Sequence, residues 1–273
     1  MSAIRTDVSP AGLSRAVEEN MFVACGALYS HMPGAEYHDT PDMMRWATGL
    51  PHPILNGATR ARLTPENADA QIAETIALFR AKGAPAMWWH DPSSQPTDLG
   101  QRLIAHGFTQ GNGMPGMAAD LHKAQNPLPS NPALAVAEVR DDAGLKVWTD
   151  ICCRSFGMSE EIRSSFFASC SHIGYGADRP MRNFLCTLNG EPAACASLCI
   201  GAGIAGIYCV GTIAEARRQG CGAAVTQACL DAAREQGYRI AILQASKMGE
   251  PVYQRLGFET VCRIETYFWA PPS

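Results

Sequence analysis

The chain repeats itself. The first half contains "ILNGAT…IAETIALFRAKGAPAMWW…LIAHGF" and the second "IYCVGT…VTQACLDAAREQGYRIAIL…YQRLGF". Both run strand, helix, strand, then a short helix closed by Gly-Phe. Gly57 falls near Gly211, Gly83 on Gly237 and Gly107 near Gly257. Identity between the halves is low, but a shared element order over this length points to an internal duplication. Units of this kind bury their apolar faces by laying helices on a sheet. The fold class expected is therefore α/β in the α+β sense, in two similar halves. The 273 residues suffice for two small domains.

Local signals fill in the elements. Ser9 is a ready N-cap with Pro10 at the first helical position, and Val17, Met21, Phe22 and Cys25 follow at helical spacing. Residues 54–62 read as extended, and a helix entered at Thr64-Pro65-Glu66 ends near Gly83. "PAMWWH" (85–90) reads as a buried strand, with alternation sending one of Trp88 and Trp89 to the core and the other to the far face. "HKAQNPLPSNPAL" is rich in Pro and Asn. It separates a first domain over 1–125 from a second over 136–273, with a linker at 126–135. In the second half Leu145, Trp148, Cys152 and Phe156 share a helical stripe, Ser159 can cap the next helix, and Asn189-Gly190 marks a hairpin.

Some functions are excluded early. The net charge of −4 gives no support for a nucleic-acid partner. No apolar run is long enough to span a membrane, and the start lacks the pattern of a secretory signal. The eleven cysteines are an odd number scattered over helices and strands, which suits small buried hydrophobes in a reducing, cytoplasmic compartment. His90-Asp91 has no companion cluster at ligand spacing, so no metal is expected, and a strand-end hydrogen bond accounts for the pair. "GNGMPG" (111–116) fits a dinucleotide fingerprint literally but leads into a strand rather than a helix, so it reads as a turn.

One stretch carries chemistry. "EARRQGCGAAV" (215–225) places two arginines and two glycines at the mouth of a helix. A helix start offers several amide N–H groups without internal partners, and glycine lets a ligand approach the backbone. Such a bend can cradle a phosphate or diphosphate. The alternative is a tight strand-to-helix turn with solvated arginines. The lysine and hydroxyl of a nucleoside-triphosphate loop are missing, and the first half has "TPENAD" where the second has "RRQGCG".

Arg217, Gly220 and Gly222 match an R-x-x-G-x-G/A motif, preceded by the strand "AGIYCVGT" and followed by "YQRLGF". In these three pieces residues 136–273 resemble the Gcn5-related N-acetyltransferase (GNAT) family, and residues 1–125 resemble a degenerate copy without the loop. The resemblance implies a tandem GNAT fold, whose mixed central sheet has two parallel strands that splay apart. It implies acetyl-CoA as co-substrate. Backbone groups of Cys209, Val210, Gly211 and Thr212 would hold the pantetheine arm and polarise the thioester carbonyl. Arg217, Arg218, Gln219, Gly220, Cys221, Gly222 and Ala223 would hold the diphosphate. Tyr253 would be the acid that protonates the leaving thiolate. It also implies an acceptor: a primary amine of a small molecule, attacking directly.

The general base stays open. The strand that carries a glutamate in some relatives has no carboxylate here, which favours a water relay or a group from another element, with Glu250 a weaker candidate. Glu160, Glu161 and Asp150 border the acceptor site in relatives and could hold an ammonium, though charged helix residues are more often just solvated. A covalent acyl-cysteine at Cys209 or Cys221 is the less favoured route. A protein or peptide acceptor, and a non-catalytic acyl-CoA-binding or sensing module, are the rival functions. A homodimer is compatible with everything above.

Overall fold

In the computed structural model, which describes residues 2–123 and 131–271, the Ser9 hydroxyl accepts from the Gly12 amide at 3.1 Å and starts α1 (Pro10–Tyr29). There follow β1 (Glu36–Asp39), β2 (Met44–Ala47), β3 (Asn56–Thr59), α2 (Ala68–Lys82), β4 (Ala86–His90), α3 (Leu99–Ala105), β5 (Thr109–Gln110) and β6 (Met114–Asp120). Residues 126–130 of the expected linker lie outside the described residues. The second half holds β7 (Leu134–Glu138), α4 (Asp142–Phe156), α5 (Glu160–Ile173), β8 (Met181–Leu188), β9 (Glu191–Gly201) and β10 (Ile204–Thr212). It ends with α6 (Cys221–Glu235), β11 (Ile240–Gln244), α7 (Glu250–Arg255) and β12 (Glu259–Trp269).

Two compact units result, and they are not the two sequence halves. One comprises the chain up to Ala27 together with Pro115–Cys262; the other comprises Leu28–Met114 and the chain from Arg263 on. Each unit takes a terminal segment from the opposite half. Division at 125 and 136 would cut the chain at one place, whereas these units are cut at three.

In the larger unit the sheet order is β7-β8-β9-β10-β11-β6, antiparallel throughout except for the parallel pair β10–β11. Val225, Cys229, Leu230 and Ala233 of α6 pack on one face, against Ala196, Leu198, Ile207 and Leu243. The opposite face is covered by α4, α5 and α1. Trp148 of α4 stacks on Phe166 of α5 with centroids 5.8 Å apart, and its indole donates to the Ala196 carbonyl. Ala24 of α1 and Ile173 of α5 meet Cys199 of β9. Leu145, Trp148 and Cys152 are buried as their spacing predicts. Phe156 is 42% exposed, because the helix ends there and Gly157 turns away at φ 67°. Asn189 and Gly190 form the tight β8–β9 turn with φ of 53° and 86°. None of the cysteines is exposed and no disulfide joins the described residues.

The smaller unit repeats the plan. Its sheet runs β1-β2-β3-β4 and then residues 265–269 of β12, with β3–β4 as the parallel pair. Ile72 and Phe79 of α2 pack with Leu99 and Leu103 of α3 against Trp88 and Trp269. Both Trp88 and Trp89 are buried: Trp88 meets Phe108 edge-on, and Trp89 stacks on Trp46 at 5.3 Å. The strand is covered on both faces, so alternation does not send one indole outward. By pairing register Gly57 answers to Ala205, opposite Met87 and Ala241 respectively, rather than to Gly211.

Asp91, fully buried just after β4, is bonded at the strand end as expected. It accepts from the Arg60 amide at 3.0 Å and from the Arg62 guanidinium at 3.1 Å. Asp91→Ala would leave an amide and a guanidinium without their buried acceptor, at a cost of about 2–3 kcal/mol. The expected result is a clear drop in thermal midpoint; an unchanged midpoint would show that Asp91 does not clamp this unit.

Candidate functional site

The parallel strands of the larger unit part company early. β10 and β11 pair only at Ala205–Ala241 and Gly206–Ile242, yet β10 continues to Thr212 and β11 to Gln244. On its other edge β10 carries a bulge. Tyr208 lies opposite Ser197 and Gly211 opposite Cys195, so three steps on β10 span two on β9. Cys209 takes up the extra residue at φ 52°, a conformation that costs a non-glycine residue about 1–2 kcal/mol. The Cys195 thiol helps to hold it by donating to the Cys209 carbonyl at 3.3 Å. Neither Cys209 nor Val210 has a partner on β9, and both are half-buried. The two strand ends thus diverge around a stretch of unladdered backbone.

β10 leads directly into the bend at 217–223. The Arg217 guanidinium reaches back to the Thr212 carbonyl at 3.3 Å. Arg218 lies at φ 63° and Gly220 at φ 89°, where a side chain would be strained. The first helical bond of α6 runs from the Ala224 amide to the Gly220 carbonyl, and no side chain caps the helix. The amides of 218–223 therefore have no acceptor among the described residues. Residues 217–220 are exposed, and the Asn131 carboxamide donates to the Gln219 carbonyl at 3.3 Å. A Cβ on Gly222 would lie 3.3 Å from the Thr212 hydroxyl, which places the helix start close against the end of β10. Free amides, a helix dipole and two exposed guanidinium groups are the features that attract an anion.

The same place in the smaller unit is closed. There the Thr64 amide donates to the Asn67 side chain at 2.8 Å, and the Asn67 amide returns to the Thr64 hydroxyl at 3.3 Å. The Ala68 amide is used by the Thr64 carbonyl. Asp69 then occupies the first turn of α2, bonded to His106 at 3.1 Å and to Arg102. β3 stops at Thr59, and the Arg60 and Arg62 bonds to Asp91 tie it to the end of β4. A filled loop, a carboxylate and a tied strand end leave no seat for an anion.

Tyr253 sits on α7, on the α6 face of the sheet, in the same core cluster as Cys221, Val225 and Ala245. Its ring meets Phe258 edge-on at 6.1 Å. Burial pushes its phenol up to about 12, with the nearby Cys229 adding to the shift. Glu160, Glu161 and Glu250 are solvent-side groups: Glu160 pairs with Arg163, and Glu250 lies 3.5 Å from the Thr260 hydroxyl. Asp150 pairs with both Arg154 and Arg163. None of them lies on the splayed strands.

Three polar residues at the splay escape a reading of the sequence: Asn20, Tyr208 and Gln244. Asn20 is hidden among Ser14, Arg15, Glu18 and Glu19 of α1, and only Tyr208 and Gln244 stand out in largely apolar strands.

Residues 147–258 match the model of the "Acetyltransferase (GNAT) family". Among solved structures, a GCN5-related N-acetyltransferase from Kribbella flavida aligns at a TM-score of 0.67 and 19% identity, covering 96% of each chain. One from Sphaerobacter thermophilus aligns at 0.63 and 13%, covering 88% of this chain and 77% of that one. A tandem GNAT protein from the clavulanic acid biosynthesis pathway aligns at 0.60 and 14%, covering 99% of this chain and 91% of that one. No curated protein sequence matches.

Proposed function

The chain carries a GNAT acetyltransferase domain over residues 147–258, and from that premise we propose that it transfers an acetyl group from acetyl-CoA to the primary amine of a small molecule. The observation that carries this reading is the parting of β10 and β11 beyond Gly206, directly upstream of a helix start whose amides are free. Acetyl-CoA supplies the acyl group activated as a thioester. Amides of 218–223 hold the diphosphate, assisted by Arg217 and Arg218, with Gln219, Gly220, Cys221 and Ala223 contributing backbone alone. Val210, Gly211 and Thr212 pair with the pantetheine arm, and an amide at Cys209 or Val210 polarises the carbonyl.

The amine nitrogen attacks the carbonyl carbon, the C–N bond forms and the C–S bond breaks. Tyr253 gives its proton to the departing sulfur, and the nitrogen loses one to water. Much of the rate comes from holding the two reactants in one cleft. The closed loop of the smaller unit supports one cofactor seat per chain rather than two. Calorimetry is expected to give one acetyl-CoA per chain, and a panel of primary amines to release free CoA thiol. Failure to bind acetyl-CoA would overturn the proposal. Binding without release by any amine would convert it to a sensing module.

A further inference from the structure

Three thiols from three elements meet beneath the bulge of β10. The Cys152 thiol of α4 is hydrogen-bonded to the thiols of Cys195 on β9 and Cys209 on β10. Cys195 in turn donates to the Cys209 carbonyl at 3.3 Å. The helix is held close at this point. A Cβ on Gly211 would lie 2.7 Å from the Ser155 Cβ and 3.4 Å from the Cys195 sulfur. Ser155 is one turn beyond Cys152, so the cluster lies between the last turns of α4 and the open end of β10.

The three thiols are not equivalent. Cys152 and Cys195 are buried, whereas Cys209 is half-buried and is the one nearest solvent. The hydrogen bond from Cys152 draws the Cys209 thiol below its ordinary range; burial opposes this, and the Ser197 hydroxyl adds to it. Cys152 is held well above that range by its bonds to Cys195 and Cys209 and by its burial. The charge therefore falls on Cys209, and Cys152 keeps its proton. Thiolate character and access select one thiol for oxidation, and a second thiol in contact with it can resolve the product. Cys186 and Cys221 are hydrogen-bonded to each other as well, but both are buried and burial raises both. The backbone adds a further reason. Cys209 has no partner on β9, so no ladder bond resists a small displacement of its sulfur.

We propose that Cys209 and Cys152 are a peroxide-reactive thiol pair, in which Cys209 is the attacking sulfur and Cys152 the resolving one. The Cys209 thiolate attacks one oxygen of hydrogen peroxide. An S–O bond forms, the O–O bond breaks, and hydroxide leaves. The Cys152 sulfur then attacks the Cys209 sulfur: the S–S bond forms, the S–O bond breaks, and the second oxygen leaves as water with the Cys152 proton. The two thiols lose two electrons, and peroxide is reduced to water. The bond joins α4 to the bulge of β10, and its formation does not depend on acetyl transfer.

The test is differential alkylation and peptide mapping of the native, full-length protein treated with hydrogen peroxide. A peptide pair joined through Cys152 and Cys209 is expected, cleaved by dithiothreitol and formed several-fold faster than any other cysteine is oxidised. Cys152→Ser should stop the reaction at the sulfenic acid, giving one dimedone adduct on Cys209. Cys209→Ser should leave Cys152 reduced. Absence of the joined pair from the native protein, a link through Cys195 in its place, or a dimedone adduct on another cysteine would each overturn the proposal. So would oxidation of Cys152 that persists in Cys209→Ser. The mapping of the native protein decides the matter even where a variant fails to fold. Loss of acetyl-CoA binding, measured on the reduced protein, would remove the acetyl-transfer reading and leave the thiol pair standing.

Discussion

Gly222→Asp is expected to abolish acetyl-CoA binding while the protein stays folded. The two effects separate because the position tolerates a side chain but not a negative charge facing a diphosphate. A Cβ there meets only the Thr212 hydroxyl, at 3.3 Å, which a small shift relieves. An aspartate in the first turn of a helix interacts favourably with the dipole, by about 0.3–1 kcal/mol, so α6 should be no less stable. Binding suffers doubly: the carboxylate repels the phosphates and competes for the amides that would hold them. Like charge brought against a buried anion costs several kcal/mol, a loss on the order of a hundredfold or more. The smaller unit carries this arrangement already, since Asp69 occupies the first turn of α2 and the preceding amides are consumed by Thr64 and Asn67. Calorimetry with acetyl-CoA and a thermal melt decide the matter together. Native-like affinity in Gly222→Asp would mean that the diphosphate does not sit at this helix start.

How much of this was legible in the sequence depends on how local the cause is. The uncapped helix start proposed as the anion seat was legible, because a helix start, two glycines and adjacent arginines lie within one bend and need no distant partner. The helical stripe of α4 was legible for Leu145, Trp148 and Cys152. It failed at Phe156, where periodicity cannot say that the helix stops before the core is reached. The makeup of the compact units was not legible. A strand pattern says that residues 265–269 will pair but not with which strand, and here they pair with Ala86–His90. α1 shows its apolar spacing plainly, while the sheet it packs on was hidden for the same reason. Asn20, Tyr208 and Gln244 are the extreme case. Asn20 follows two glutamates in α1, Tyr208 and Gln244 sit in largely apolar strands, and their proximity appears only when three elements far apart in sequence converge.

Tyr253→Phe is expected to lower kcat by about a hundredfold or more, the ordinary size of a lost general acid, with acetyl-CoA affinity nearly intact. The residue is well placed for such a clean result. Its ring is buried and meets Phe258, and phenylalanine preserves that contact. The substitution removes one oxygen atom and leaves the packed ring in place, so the melting temperature should stay nearly unchanged. The pH dependence gives a second, independent readout. An ordinary tyrosine titrates near 10, and burial pushes Tyr253 up to about 12. The acid is the protonated form, so it is fully present below pH 10 and lost only as pH rises through about 12. The stability that burial of the neutral phenol contributes follows the same sign: complete below pH 10, lost on approach to 12. kcat/KM should therefore rise with pH as the acceptor amine loses its proton and then stay level, with no alkaline decline near pH 10. A decline there in the native protein, absent in Tyr253→Phe, would show that the phenol titrates like one in water and that its burial does not extend to the working enzyme. A substitution that leaves kcat unchanged would assign the proton on the departing sulfur to water instead.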